Sequence, residues 1–289
     1  MLAWGVVGVR NTGHEALQRL VGLLTLDSLD SDLFVGETPE GEGRLFGGLV
    51  AAQAVMAGIA TVGEGALHSL HAYFLRPGHH GVPIRYVVHR IRDGRTFTTR
   101  RIVAYQAGEA IFSLAASFAR PEEGVSHQDE APGAPGPEGL EDWELLRAKM
   151  LGRPEAVRSQ PIDVRACDPD DPEGKPQEPR KRVWMRPNGP VPDDPRIHTG
   201  LLVYSTDRTL LSTASRPHGL PWGKRSVASL DHAVWIHRPP RFDDWILYAS
   251  ESPVAHAARG LVLGALYDRA GIRIASVAQE GLIRIPRGA

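Results

Sequence analysis

GIRIASVAQEGLIRI, residues 271–285, decides the fold, because it echoes an earlier stretch, AGEAIFSLAASFAR at 107–120, and departs from it at one informative place. Without a gap, Gly108 falls on Gly271, Ile111 on Ile274, Ser113 on Ser276 and Ala115 on Ala278. The flanks agree as well, since SLHAYFLRP at 69–77 returns as SLDHAVWIHRP at 229–239. Self-similarity of this kind is the signature of an internal duplication, and it is settled before any other feature. Inside the echo, Ala116 of the first copy becomes Gln279 in the second. A scaffold position that is apolar in one copy and polar in the other marks a place where chemistry has been added.

The 289 residues divide accordingly into an N-terminal unit at 14–120, a linker at 121–157 and a C-terminal unit at 158–289. The first dozen residues read as a tail, followed by a short helical pattern at 15–24 and by DSLDSDLFVGETPEG, which reads as one exposed strand and a loop. RLFGGLVAAQAVMAGIATV (44–62) has no charge after Arg44, so a helix here is apolar almost all round and buried. Its one strongly polar side chain, Gln53, has Leu49, Val50, Met56 and Ala57 at helical spacing. Four strand-like segments follow between 67 and 120, broken at 77–81, 93–94 and 107–108 by residues that favour hairpins. A long buried helix followed by an antiparallel meander is an α+β unit with the sheet wrapped on the helix. The linker is rich in Pro, Gly and acid, with one short helix expected in WELLRAKML. The second unit opens with the short strands PIDVRA and KRVWMRPNG. A helix, DDPRIHTGLLVYSTDRTLL, comes next, with Asp194 suited to cap it and Pro195 to begin it, and the meander then repeats.

Composition removes several function classes. With 33 basic against 34 acidic residues there is no cationic footprint for nucleic acid. No apolar run approaches the ~18 residues of a membrane span, and a cytoplasmic protein is expected. The single Cys167 excludes an intrachain disulfide and reads as a bystander. His68, His71, His79 and His80 cluster in sequence but lack HExxH spacing and an acidic partner set, so no metal is expected, nor any cofactor.

Asp207 is the strongest single clue, because Val203, Tyr204, Leu210 and Leu211 surround it at helical spacing. A carboxylate on a packed face is costly unless it is paired, hydrogen-bonded or functional. One reading is an ion pair with a strand arginine such as Arg259; the other is a general base with water in reach. Setting LVAAQAVM over VYSTDRTL puts Gln53 opposite Asp207. Gln279 shares its strand face with Ala275, Val277 and Ile283, so it too points inward, either as a satisfied core amide or as a functional group. Ser229 has Ser69 as its counterpart and alone suits a structural role. Asp231 and His232 follow closely, but neighbours along one strand face opposite ways and form no Ser/His/Asp relay.

These residues carry a family resemblance. The chain resembles the acyl-CoA thioesterase II family, the tandem hotdog thioesterases, through RLFGGLVAAQA, HSLHAYFLRPG, the block from IRDGRTFTTRR to SFARPEEGVSHQ, VWMRPNGPVPDD, ASLDHAVWIHRP, ESPVAHAARG and ASVAQEG. The resemblance implies a double hotdog, two antiparallel sheets each wrapped on a long helix. It also implies hydrolysis of fatty acyl-CoA by an activated water without a covalent intermediate. The family's aspartate, hydroxyl residue and glutamine fall on Asp207, Ser229 and Gln279. Helix-start amides would serve an oxyanion, Gln53 would line the substrate site, and Arg95, Arg100 and Arg259 are candidate partners for the CoA phosphates. SPVAHAARG has Pro253 and His256 where small polar residues are usual. Hotdog sheets associate, so a homodimer or higher oligomer is expected. Two rivals stand beside this reading. One is an enoyl-CoA hydratase, for which Asp193 and His198 have the separation of a DxNPxH motif without its asparagine. The other is a non-catalytic acyl-CoA-binding protein.

Overall fold

The chain builds two α+β units whose strands join into one sheet. The computed structural model describes residues 6–153, 157–219 and 226–284, with side chains from residue 13 onward. The expected tail thus falls partly within helix α1 (Val6–Leu23), while residues 1–5 lie outside the described residues. The first unit continues with β1 (Asp27–Asp30), β2 (Leu33–Gly36), helix α2 (Gly47–Ala60), β3 (Ala66–Phe74), β4 (Ile84–Asp93), β5 (Phe97–Gln106) and β6 (Glu109–Ala119). Ten of α2's residues, from Gly48 to Gly58, are buried, as its lack of charge demands. The linker carries the short helix α3 (Trp143–Met150), capped by Asp142. The second unit comprises β7 (Ile162–Ala166), β8 (Arg180–Pro187), α4 (Pro195–Thr206), β9 (Ser226–Ser229), β10 (Asp231–Ile236), β11 (Ile246–His256), β12 (Arg259–Tyr267) and β13 (Arg273–Arg284).

All pairings are antiparallel, in the order β1-β2-β4-β5-β6-β3-β10-β13-β12-β11-β8-β7, with β9 also on β13. The order reads as the same run in mirror image about the β3–β10 pair. There His232 lies opposite Ala72 and Ala233 opposite His71, so the two sheets expected from the duplication merge through their edge strands into 13 strands. Joining them satisfies two rows of backbone donors and acceptors that would otherwise be open edges. Pro253, which cannot donate to a ladder, sits where the β11–β12 register slips between Glu251 and Val254. No helix of the described residues is long and apolar enough to cross a membrane.

The second helix ends earlier than its apolar pattern suggests. Asp194 caps α4 by accepting from the Arg196 N–H, as expected, but the helix stops at Thr206 with Asp207 as its C-cap. Thr209 is left-handed at φ 61°, and Leu210–His218 then follow as a 3-10 run against β11, β12 and β13. Leu210 and Leu211 are therefore not helical neighbours of Asp207. Helix termination places the carboxylate at the end of the element, where it can reach the other unit.

Helices α2 and α4 pack on each other with very little clearance. A Cβ at Gly48 would stand 2.5 Å from the Tyr204 carbonyl oxygen and 2.5 Å from the Phe46 ring. Gly48→Ala should therefore push the helices apart and lower stability by about 2 kcal/mol, the usual scale for overpacking. Urea denaturation would show this as a lowered midpoint, and an unchanged midpoint would contradict the close approach.

Candidate active site

Asp207, Ser229 and Gln279 come together at the seam between the units. Ser229, the last residue of β9, donates to Asp207 Oδ1 at 3.3 Å. Gln279 Nε2, from the middle of β13, donates to the same oxygen at 3.3 Å and to Ser229 Oγ at 2.8 Å. Behind them, His232 Nδ1 lies 2.6 Å from Gln279 Oε1, and His232 Nε2 lies 2.8 Å from Thr206 Oγ1. His232, Thr206 and Gln279 are fully buried, whereas Asp207 and Ser229 keep an accessible edge.

The other face of Asp207 belongs to the first unit. Its carboxylate accepts from the Gly48 N–H at the start of α2. A Cβ at Gly47 would stand 3.0 Å from Asp207 Oδ2 and 2.6 Å from the Phe74 ring, so the glycine pair is what lets the helix end approach the carboxylate. A helix N-terminus presents unpaired N–H groups and a partial positive charge, which suits an anion.

Asp207 and Ser229 open onto a cleft of about 540 Å³. Its apolar wall comes mainly from the first unit, with Val50, Phe74, Ile111 and Phe112, and from the second with Leu211 and Leu230. Gln279 is not part of that wall; it holds the two residues that are. Arg44 and Arg76 line the same cleft, and both are exposed. Arg76 also pairs with Glu109 at 3.1 Å.

Burial pushes the Asp207 carboxyl up from 3.8 to about 6, against the opposing hydrogen bonds from Gln279, Ser229 and the Gly48 N–H and the charge of Arg208. Burial likewise takes His232 down from 6.5 to about 4, so it is neutral near pH 7. Burial raises the Cys167 thiol to about 11, which leaves it unreactive.

Other sequence-derived candidates are placed elsewhere. Gln53 is fully buried mid-helix, donates to Leu23 O and Glu37 O at 2.7 and 2.9 Å, and accepts from Tyr86 at 2.7 Å. These bonds use its donors to tie α2 to the end of α1 and to β2 and β4, so it is structural and not a substrate contact. Arg100 is also buried, bound to Thr61, to Asp93 and to the carbonyls of Arg92 and Thr99, so it cannot meet a phosphate at the surface. Arg95 lies exposed in the β4–β5 turn, and Arg259 pairs with Glu280 at 3.1 Å, not with Asp207. None of these three arginines lines the cleft. Asp193 and His198 do not converge either. Asp193 is exposed on Arg241, while His198 is buried and accepts the Phe242 N–H. His68 bonds Ser117, His71 packs on Trp235 and His80 meets Pro39 O. Among the described residues no three histidines, cysteines or carboxylates are grouped to hold a metal.

The ladders revise one counterpart and reveal two residues missed in the sequence. With Ala116 over Gln279, Phe118 falls on Gly281; Phe118 pairs with Leu67, and Gly281 pairs with Ser229. A register slip between Leu67 and Ser69 moves Ser69 one place along, so Ser229 corresponds to Leu67 and not to Ser69. Ala116 pairs with Leu70, and one step beyond the Ala233–Ala278 pair His232 reaches Gln279. Ser229, His232 and Gln279 thus replace Leu67, Leu70 and Ala116, all buried. His232 shares the buried face of β10 with Val234 and Ile236, and its part emerges only where the fold sets it beside Gln279. Thr206 gave no sequence signal.

Comparison with known proteins agrees with this architecture. Residues 36–119 match the model of the acyl-CoA thioesterase N-terminal domain, and residues 159–282 match that of acyl-CoA thioesterase. The chain is 37% identical over 285 residues to mouse acyl-coenzyme A thioesterase 8, covering 92% of this chain and 89% of that protein. Among solved structures, acyl-CoA thioesterase II TesB2 of Mycobacterium marinum superposes with a TM-score of 0.79 at 38% identity, covering 93% and 100% of the two chains. A hot dog fold protein from Alicyclobacillus acidocaldarius gives 0.78 at 19% identity, covering 93% and 98%, a likeness of fold alone.

The raised carboxyl has a stability consequence. Between about pH 4 and 6 the folded chain holds a proton on Asp207 that the unfolded chain releases, so stability falls as pH rises through that window. Asp207→Asn lacks this dependence. Its stability relative to the parent should shift in its favour by about 2–3 kcal/mol between pH 3.5 and 7, roughly two pKa units discounted for the carboxylate's exposed edge. Denaturant midpoints at both pH values measure it, and a difference independent of pH would refute it.

Proposed function

The chain belongs to the acyl-CoA thioesterase family, and from that membership we propose that it hydrolyses fatty acyl-CoA to free acid and CoA with Asp207 as general base. The observation that supports this most is a carboxylate tuned to about 6 on the floor of an apolar cleft, gripped by a hydroxyl and an amide and facing a helix start. The acyl chain lies along Phe74, Phe112 and Leu211, out of water. A water at Asp207, oriented by Ser229, gives its proton to the carboxylate as its oxygen bonds to the thioester carbonyl carbon. Gln279 acts by holding both Ser229 and Asp207 in that arrangement. The Gly47 N–H and the positive end of α2 stabilise the developing oxyanion, since the Gly48 N–H is engaged by Asp207. Collapse breaks the C–S bond, and the proton on Asp207 passes to the leaving thiolate. With an oriented water as nucleophile, no covalent intermediate is required.

Arg44 and Arg76, exposed at the cleft, suit the CoA phosphates. Association of copies as a homo-oligomer in the cytoplasm completes this reading. Exposed Tyr73 and Trp235 on the outer face of β3 and β10 support such association, and a lone, half-buried cysteine suits a reducing compartment.

Thiol release from acyl-CoA substrates tests the reaction. Asp207→Asn should lose at least about 100-fold in kcat while remaining folded. For the parent, kcat should be level above pH 7 and fall about tenfold per unit below about 6, because the ionised carboxylate is the active form. An Asp207→Asn enzyme of full activity would remove the base from the scheme, and retention of acyl-CoA with no CoA release would favour a binding protein. Arg44→Glu should raise KM about tenfold with kcat little changed, the pattern of a contact to the uniform CoA portion.

A further inference from the structure

We propose that His232, itself braced by Thr206, is a positioning residue for the thioesterase reaction: it fixes the Gln279 amide with its nitrogen, not its oxygen, towards Asp207 and Ser229. This rests on the reading of Asp207 as the base.

The two ends of the Gln279 amide differ only in which atom donates, and a bare cavity would not choose between them. If the oxygen faced Asp207, it would oppose a carboxylate oxygen at 3.3 Å and leave Ser229 without a donor. The opposite end, Oε1, meets His232. Gln279 Oε1 can only accept, so Nδ1 at 2.6 Å must carry the proton. A neutral ring then has an unprotonated Nε2, which accepts from the Thr206 hydroxyl at 2.8 Å. The Thr206 hydroxyl also lies 2.8 Å from Val203 O, but giving its one proton there would require a doubly protonated ring, which full burial opposes. The chain of donors therefore has one direction: Thr206 to His232 to Gln279 to Asp207 and Ser229.

The chain is also closed. Thr206 is the last residue of α4 and Asp207 its C-cap, so the element that carries the base also carries the hydroxyl that meets the ring behind the amide gripping it. Satisfying a core is not what demands these groups, because the first unit builds the same strand pair from Leu70 and Ala116. A buried histidine and a buried amide appear together, and in the unit that has the aspartate.

Five variants and one spectrum test this. His232→Leu installs the residue that the first unit tolerates in the corresponding place, and should lower kcat about 10–100-fold with KM within about twofold. Thr206→Val should lower kcat about 3–10-fold, and Thr206→Ser, which keeps the hydroxyl, should restore it. In a Gln279→Ala background, His232→Leu should lower kcat no further, since nothing remains to be positioned. In nitrogen-15 spectra of the folded protein, His232 should appear as the tautomer protonated at Nδ1. Equal losses from His232→Leu in both backgrounds, failure of Thr206→Ser to restore activity, or a tautomer protonated at Nε2 would overturn the proposal. Full activity of Gln279→Ala would overturn both this and the reading of the site. Full activity of His232→Leu beside an impaired Gln279→Ala would overturn this alone.

Discussion

The structure depends on keeping one carboxylate serviceable in a place that disfavours it. The cleft over Asp207 is apolar, and an apolar surrounding favours the protonated acid. Burial alone would raise the carboxyl further. The donors gathered on it from Ser229, Gln279 and Gly48 pull in the other direction. The balance leaves the carboxyl at about 6. Both tendencies set the result: greater solvation would lower the carboxyl, and fewer donors would raise it further.

That balance is drawn from both units. The second supplies the carboxylate, hydroxyl and amide; the first supplies the glycine pair at the head of α2 and most of the cleft wall. The close crossing of α2 and α4 and the pairing of β3 with β10 hold the two contributions in register. A site at a seam demands that the seam be rigid, and continuous strand pairing provides this better than side-chain contact between separate domains.

Much of this was legible in the sequence, for identifiable reasons. The repeat, the uncharged α2 and the alternating strands are patterns of burial, and burial is written in residue type. Asp207 and Gln279 stood out because polar groups interrupted those patterns. The end of α4 was not legible, since Leu210 and Leu211 continue a helical spacing across a Thr209 whose left-handed backbone only the fold imposes. Arg100 and Gln53 misled for the opposite reason, as their polarity serves carbonyls supplied by distant segments. The Ser69 correspondence failed on a one-residue slip in the strand, which alters facing without altering composition. Thr206 and His232 matter through each other, and a single chain read in order does not show pairs.

Asp194 caps α4 with its own carboxylate, and Pro195 behind it has no N–H to offer. The start of α2 gives its Gly48 N–H to a carboxylate from the other unit, Asp207; the start of α4 is closed by its own Asp194. Together with the leucines and alanine that stand in for the polar set, this silences the mirror-related position from both sides. Among the described residues the duplicated architecture therefore carries the carboxylate, hydroxyl and amide together once per polypeptide, and any communication between two such sets must pass from one molecule to another.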